Sequence, residues 1–162
     1  MNHAVLYVRD AGRTAEFYER LLEFTRVIDD PGGQYVFLRA PKSTNHHDLA
    51  LFTVGPLGPS EAGRRTVGLY HIAWEVPTLA DLAQIRDRLV AEGAFVGASD
   101  HGPNKSVYAK DPDGLEFEVM WLVPAERWGS EEHQAIIRPL DIAAEQAADA
   151  AADKAGAPTG RP

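Results

Sequence analysis

The stretch His101-Gly-Pro-Asn-Lys-Ser-Val-Tyr108-Ala-Lys-Asp111-Pro-Asp-Gly114-Leu-Glu-Phe-Glu118-Val-Met-Trp121 reads as strand, tight turn, strand. Asp111-Pro112-Asp113-Gly114 is turn chemistry: proline presets φ at the second position and glycine closes the turn. After it, Leu115, Phe117, Val119 and Trp121 alternate with Glu116, Glu118 and Met120. A strand sends alternate side chains to opposite faces, so Glu118 points away from the Phe117/Val119/Trp121 face. A carboxylate in the middle of an apolar strand either finds a strong partner or stays wet. Taken alone, the pattern is that of a strand with one solvated face.

Upstream of this hairpin, Val67–Val76 reads as a strand and Thr78 caps a helix, with Asp81 three residues on. Leu79, Leu82, Ile85, Leu89 and Val90 form its apolar stripe, and Gly93 ends it. A strand over 94–98 and a loop over 101–105 follow. The first part of the chain has the same order. Asn2–Val8 is a strand, Asp10 caps a helix running to about Phe24, Thr25–Asp29 and Gln34–Arg39 form a hairpin, and His46–Val54 is a last strand. The chain is thus an internal duplication of β-α-β-β-β units. Module one covers 2–54 and module two 67–122, joined by the linker Gly55–Arg65 within 55–66. The openings match: His3-Ala-Val-Leu-Tyr-Val8 against His71-Ile-Ala-Trp-Glu-Val76. Residues 1–128 are expected to form one domain, and 129–162 an Ala-rich helix, centred on Asp141–Ala155, with a polar end. The predicted fold class is α+β: two tandem βαβββ modules forming a curled mixed sheet around a cavity, with a C-terminal helical tail.

Composition narrows the functional classes. A chain of 162 residues with 44% hydrophobic content can bury a sizeable core. The net charge of −8 argues against nucleic acid or an acidic membrane as partner. With no cysteine, thiolate metal sites, disulfides and Cys nucleophiles are excluded together. No apolar run is long enough to span a bilayer and no signal segment opens the chain, so a cytoplasmic location is expected. Histidine and carboxylate remain as metal ligands, a donor set that suits Fe, Mn or Zn.

The paired modules, with His3, His71 and Glu118 in their strands, resemble the vicinal oxygen chelate superfamily, which includes glyoxalase I, fosfomycin-resistance enzymes, bleomycin-binding proteins and extradiol dioxygenases. The resemblance covers residues 2–122. It implies a cavity in which His3, His71 and Glu118 hold a divalent metal. Within the superfamily the chain is similar to the type I extradiol dioxygenases. His47-Asp48-Leu49-Ala50-Leu51 matches their acid–base histidine setting, and His101-Gly102 their His-Gly loop. Tyr108 stands just before the Asp-Pro-Asp turn and Glu118 just after it, as theirs do. Three features depart from their pattern. Many of those enzymes have four modules where this chain has two, the loop after His101 is a little shorter than theirs, and the Ala-rich tail has no counterpart.

The resemblance implies an Fe(2+) enzyme, with Mn(2+) as the alternative, that inserts O2 into a catechol-type diol of aromatic catabolism and yields a ring-opened semialdehyde acid. His47 would move a proton, Tyr108 would hydrogen-bond the catecholate oxygen and keep it deprotonated, and His101 would position a substrate hydroxyl. His46 is expected to face away from His47. Leu49, Leu51, Ala73 and Met120 are candidates for the cavity wall. A homodimer is expected from the family. The competing readings are a glyoxalase-like lyase or isomerase and a non-catalytic drug-binding protein. The former uses a carboxylate on the last strand of module one, where this chain has an acid only at Asp48. The latter needs no metal triad.

Overall fold

The computed structural model of the protein describes residues 2–60 and 67–156, so residues 61–66 of the linker and the end of the tail, 157–162, lie outside the described residues. Module one is β1 (Ala4–Val8), α1 (Ala11–Leu22), β2 (Thr25–Asp29), β3 (Tyr35–Arg39) and β4 (Leu49–Thr53). Module two is β5 (His71–Val76), α2 (Leu79–Glu92), β6 (Phe95–Asp100), β7 (Asn104–Lys110) and β8 (Glu116–Leu122). Two short 3-10 turns, a two-residue strand β9 (Arg138–Pro139) and α3 (Ile142–Gly156) complete the chain. The expected α+β class, the repeat and the C-terminal helix are all present. No helix among the described residues is long and apolar enough to cross a membrane.

The helix ends follow local chemistry. Asp10 is extended and accepts the Arg13 N–H, and Thr78 accepts the Asp81 N–H, each satisfying an orphan donor of a first turn. Gly93 closes α2 at φ 75°, where a side chain would be strained. The Thr78 hydroxyl donates to Asp81 Oδ2, so the returning arm of the capping box meets a side chain.

Each module folds into its own mixed sheet, in the orders β1-β4-β3-β2 and β5-β8-β7-β6-β9. In both, the first and last strands of the module run parallel, β1 with β4 and β5 with β8. Two expected strands are shorter than the sequence pattern suggests. His71 pairs with Glu116, the first residue of β8, so no partner strand is left for residues 67–70. Ala4 pairs with Leu49, which places His46 and His47 in the preceding loop.

The two sheets share one core, built from the faces that carry the helices. Phe117 of β8 is fully buried and touches both Phe17 and Tyr18 of α1, at ring separations of 6.0 and 5.6 Å. Phe24 meets Trp74 of β5 edge-on at 5.1 Å. Ion pairs rim this contact: Arg9 with Asp113, Arg20 with Glu92 and Arg88 with Glu23. The opposite faces are open, with Val5 53% and Tyr7 74% exposed on β1 and Ala73 and Glu75 exposed on β5.

The 111–114 turn docks module two against α1. Asp113 accepts from Arg9 and from the buried Thr14 hydroxyl. Asp111 Oδ1 accepts the N–H groups of Asp113 and Leu115, both at 2.9 Å, while its Oδ2 is buried without a partner among the described residues. Burial pushes the Asp111 carboxyl up to about 6 against the opposing pull of those N–H bonds. The folded value lies above the unfolded one. The stability that the neutral acid supplies is therefore fully present below about pH 4 and lost as pH rises through about 6.

Phe117→Ala is expected to lower unfolding stability by about 3–5 kcal/mol in urea titrations, with less than additive loss when combined with Phe17→Ala. Asp111→Asn is expected to flatten the fall in stability between pH 4 and 7, by at most about 3 kcal/mol. A wild-type pH slope in that variant would place the titrating group elsewhere.

Candidate functional site

On the open face of module two, strand alternation and register gather polar groups from three neighbouring strands. Glu118 of β8 lies opposite Tyr108 of β7 and Ala73 of β5, and Ser106 lies opposite Met120. Glu118 is only 7% exposed. Its Oε1 accepts the Ser106 hydroxyl at 2.5 Å, and its Oε2 lies 3.0 Å from His71 Nε2. The His71 Nδ1 is buried without a hydrogen-bond partner among the described residues. Asn104 donates to Ser106 Oγ at 2.8 Å and reaches Glu118 Oε1 at 3.5 Å. The mid-strand carboxylate thus has the strong partners its burial requires.

Tyr108 stands beside this pair, its ring 5.8 Å from that of His71. Burial, reinforced by the Glu118 charge, pushes the Tyr108 phenol up to about 12. Its hydroxyl lies 2.8 Å from His101 Nε2, and His101 Nδ1 lies 2.7 Å from the Ile136 carbonyl. Both His101 nitrogens are therefore committed within the chain. This differs from the expectation that His101 addresses a substrate hydroxyl.

The open face of module one is different in kind. Tyr35, Phe37 and Phe52 are in mutual ring contact at 5.7–5.9 Å, next to exposed Val5 and Tyr7. At one end of this aromatic surface His3 and His47 face each other at 4.6 Å, and Phe37 packs on His47 at 4.9 Å. Asn2 engages His3 Nδ1 at 2.9 Å, and Nε2 has no hydrogen-bond partner among the described residues. His46 and His47 sit in the loop, with their Nδ1 atoms 3.1 Å apart; strand alternation does not apply there, and His46 turns toward His47 instead of away. Asp48 organises that loop by accepting from Ala40 N, Ser43 Oγ and Asn45 Nδ2. Burial raises its carboxyl, but these three donors outweigh it and hold Asp48 below the usual carboxylate range. Burial, together with the neighbouring His3 and His46, lowers the His47 imidazole.

The structure brings His71, Glu118, Tyr108 and His101 together, and separately His3 with His47. It does not join the two groups within one chain. Among the described residues no cluster of three or more His, Asp or Glu side chains that could hold a metal is formed. Matched repeat positions would converge if the sheets faced each other, but here the sheets meet through their helix faces. Leu49 and Leu51, expected at a cavity wall, are fully buried in the core instead; Ala73 and Met120 do lie on the open face. Three contributors are new. Ser106 was accessible to the same alternation argument, two residues before Tyr108. Asn104 and the Ile136 carbonyl carry no sequence signal, since one sits at a strand end and the other acts through its backbone.

Comparison with known proteins gives the wider setting. A family model described as the Glyoxalase/Bleomycin resistance protein/Dioxygenase superfamily matches residues 1–119. Among curated proteins, the chain is 34% identical over 121 residues to biphenyl-2,3-diol 1,2-dioxygenase 3 of Rhodococcus globerulus, covering 72% of this chain and 60% of that protein. It is 27% identical over 128 residues to catechol-2,3-dioxygenase of Bacillus subtilis (strain 168), covering 79% of this chain and 43% of that one. The chain thus spans about half the length of these curated relatives. Among solved structures, a glyoxylase/bleomycin resistance protein/dioxygenase domain from Frankia sp. EAN1pec superposes with a TM-score of 0.61 at 22% identity, covering 76% of this chain and 97% of that one. With the duplicated βαβββ fold and a family match over most of its length, the chain belongs to the glyoxalase/bleomycin resistance protein/dioxygenase superfamily.

Proposed function

We propose that the protein is an extradiol dioxygenase that binds Fe(II), or alternatively Mn(II), and cleaves a catechol-type diol with O2, its metal site being completed between two copies of the chain. The observation that carries this reading is the convergence of His71 Nε2 and Glu118 Oε2, 3.0 Å apart, beside the Tyr108–His101 pair. The two donor atoms converge closely enough that His71 and Glu118 would hold one ion together. Histidine and carboxylate are the donor types of the two-His, one-carboxylate sets that leave open positions on iron. The names of the two curated relatives support the substrate class.

His3 supplies the third ligand in this reading. The polar half-site of module two and the His3/His47/aromatic half-site of module one are both open, and neither satisfies the other within a chain. A two-fold dimer places module one of each copy on module two of the other and creates two equal composite sites. The bound metal supplies a template with Lewis-acid and redox character for the diol and O2. The remaining tasks belong to side chains. Ser106 orients the Glu118 carboxylate. Tyr108, neutral at physiological pH, hydrogen-bonds a diol oxygen. His47 transfers a proton, a role its lowered imidazole suits. The Phe37/Phe52/Tyr35 surface packs against the substrate ring. The glyoxalase-like alternative is disfavoured because the acid nearest the first module's last strand, Asp48, is consumed by three donors of its own loop.

Anaerobic loading with Fe(II) followed by catechols is expected to give O2 uptake and a yellow ring-opened product. Methylglyoxal–thiol isomerisation without O2 uptake on any catechol would overturn the reading. Glu118→Ala is expected to abolish metal binding, and Ser106→Ala to weaken it by about 10- to 100-fold in Mn(II) titrations. Inactive His3→Ala and Glu118→Ala chains, unfolded and refolded as an equal mixture, are expected to recover about a quarter of the wild-type rate, because half the dimers are hybrids with one intact site. No recovery would place both residues in the same chain's site.

A further inference from the structure

We propose that the segment after β8 is a positioning strap for the candidate site: the Ile136 carbonyl holds the proton on His101 Nδ1, which makes Nε2 the acceptor for the Tyr108 hydroxyl and leaves the phenol oxygen to accept from a bound ligand. A carbonyl can only accept, so the 2.7 Å contact from His101 Nδ1 to Ile136 fixes the protonated nitrogen. In the neutral imidazole the other nitrogen is then bare, and the 2.8 Å contact to Tyr108 is donated by the phenol. The direction of that bond is set by a carbonyl 35 residues downstream of His101.

The strap is built to stay in place. Arg138 bonds Asp100 Oδ2 through Nε at 3.1 Å and both oxygens of Glu131 at 2.9 and 3.2 Å. Asp100, next to His101 and itself buried, also takes Lys105 Nζ at 2.5 Å, and Lys105 lies 3.6 Å from Glu145 of α3. β9 pairs with β6 through Ser99–Pro139 and Asp100–Arg138. Gly102 allows the close approach. It sits at φ +79°, and a Cβ there would lie 2.8 Å from Glu131 Oε2 and 3.2 Å from Ile136 Cδ1. Ile142, the first residue of α3, is buried in the core, which anchors the chain beyond the strap.

This inference shares with the proposed function only the placement of Tyr108 at the ligand. The test reads the imidazole directly in metal-free protein, so it is independent of turnover. With ¹⁵N-histidine labelling at pH 8 and assignment by loss of the signal in His101→Gln, wild-type His101 is expected as a single tautomer, protonated on Nδ1. Arg138→Ala frees the strap's anchor, and Gly102→Ala sets a Cβ against the Glu131 and Ile136 side chains at a left-handed φ, which disturbs the strap's seat on the His101 loop. Both are expected to convert His101 to a mixture of tautomers while far-UV circular dichroism stays unchanged, and Arg138→Lys to retain the single tautomer. An Nε2-protonated His101 in the wild type, or a single Nδ1-protonated tautomer in both displaced-strap variants, would overturn the proposal.

Discussion

The burial of Phe117 against Phe17 and Tyr18 is the contact on which the arrangement of the molecule depends. It joins a strand of one module to the helix of the other, and it uses up the helix-bearing faces of both sheets. The helix-bearing face of each βαβββ unit must be hidden, and the duplication solves this by pressing the two such faces together. The consequence is geometric. Whatever the alternation of each strand places on the other face looks outward, away from the second module.

That constraint explains why one chain holds two unlike half-sites. Module two presents a buried carboxylate with a histidine and a phenol, all fixed by hydrogen bonds. Module one presents two histidines at the end of an aromatic sheet surface. A charge as buried as Glu118 needs partners, and it obtains them from β5 and β7, its two neighbours in the sheet. The aromatic surface has no such internal demand and stays half open. The two surfaces complement each other chemically: one can hold an ion and orient oxygen atoms, and the other can pack a flat ring.

The strand-turn-strand from His101 to Trp121 carries the most readable physics in the chain. Alternation placed Glu118 opposite the core face, and the Asp-Pro-Asp-Gly turn set the register that aligns it with Tyr108. The caps at Asp10 and Thr78 and the stop at Gly93 were legible because each depends on residues within one turn. The limits of β4 and β5 were not, because strand ends are decided by where the partner strand runs out. The role of residues 129–139 was hidden for a similar reason: Ile136 acts through its carbonyl, which every residue possesses.

Local chemistry written in the sequence therefore determined the duplicated βαβββ units, the helix ends, the hairpin turn and the face of β8 on which Glu118 lies. Periodicity and capping act over a few residues, and the residues concerned are adjacent in the chain. Tertiary structure alone decided how the two units meet, and with that the separation of His3 from His71 and Glu118 and the commitment of both His101 nitrogens. Those outcomes depend on which of two faces is buried against a distant segment, and faces of similar apolar content are told apart only when they are packed.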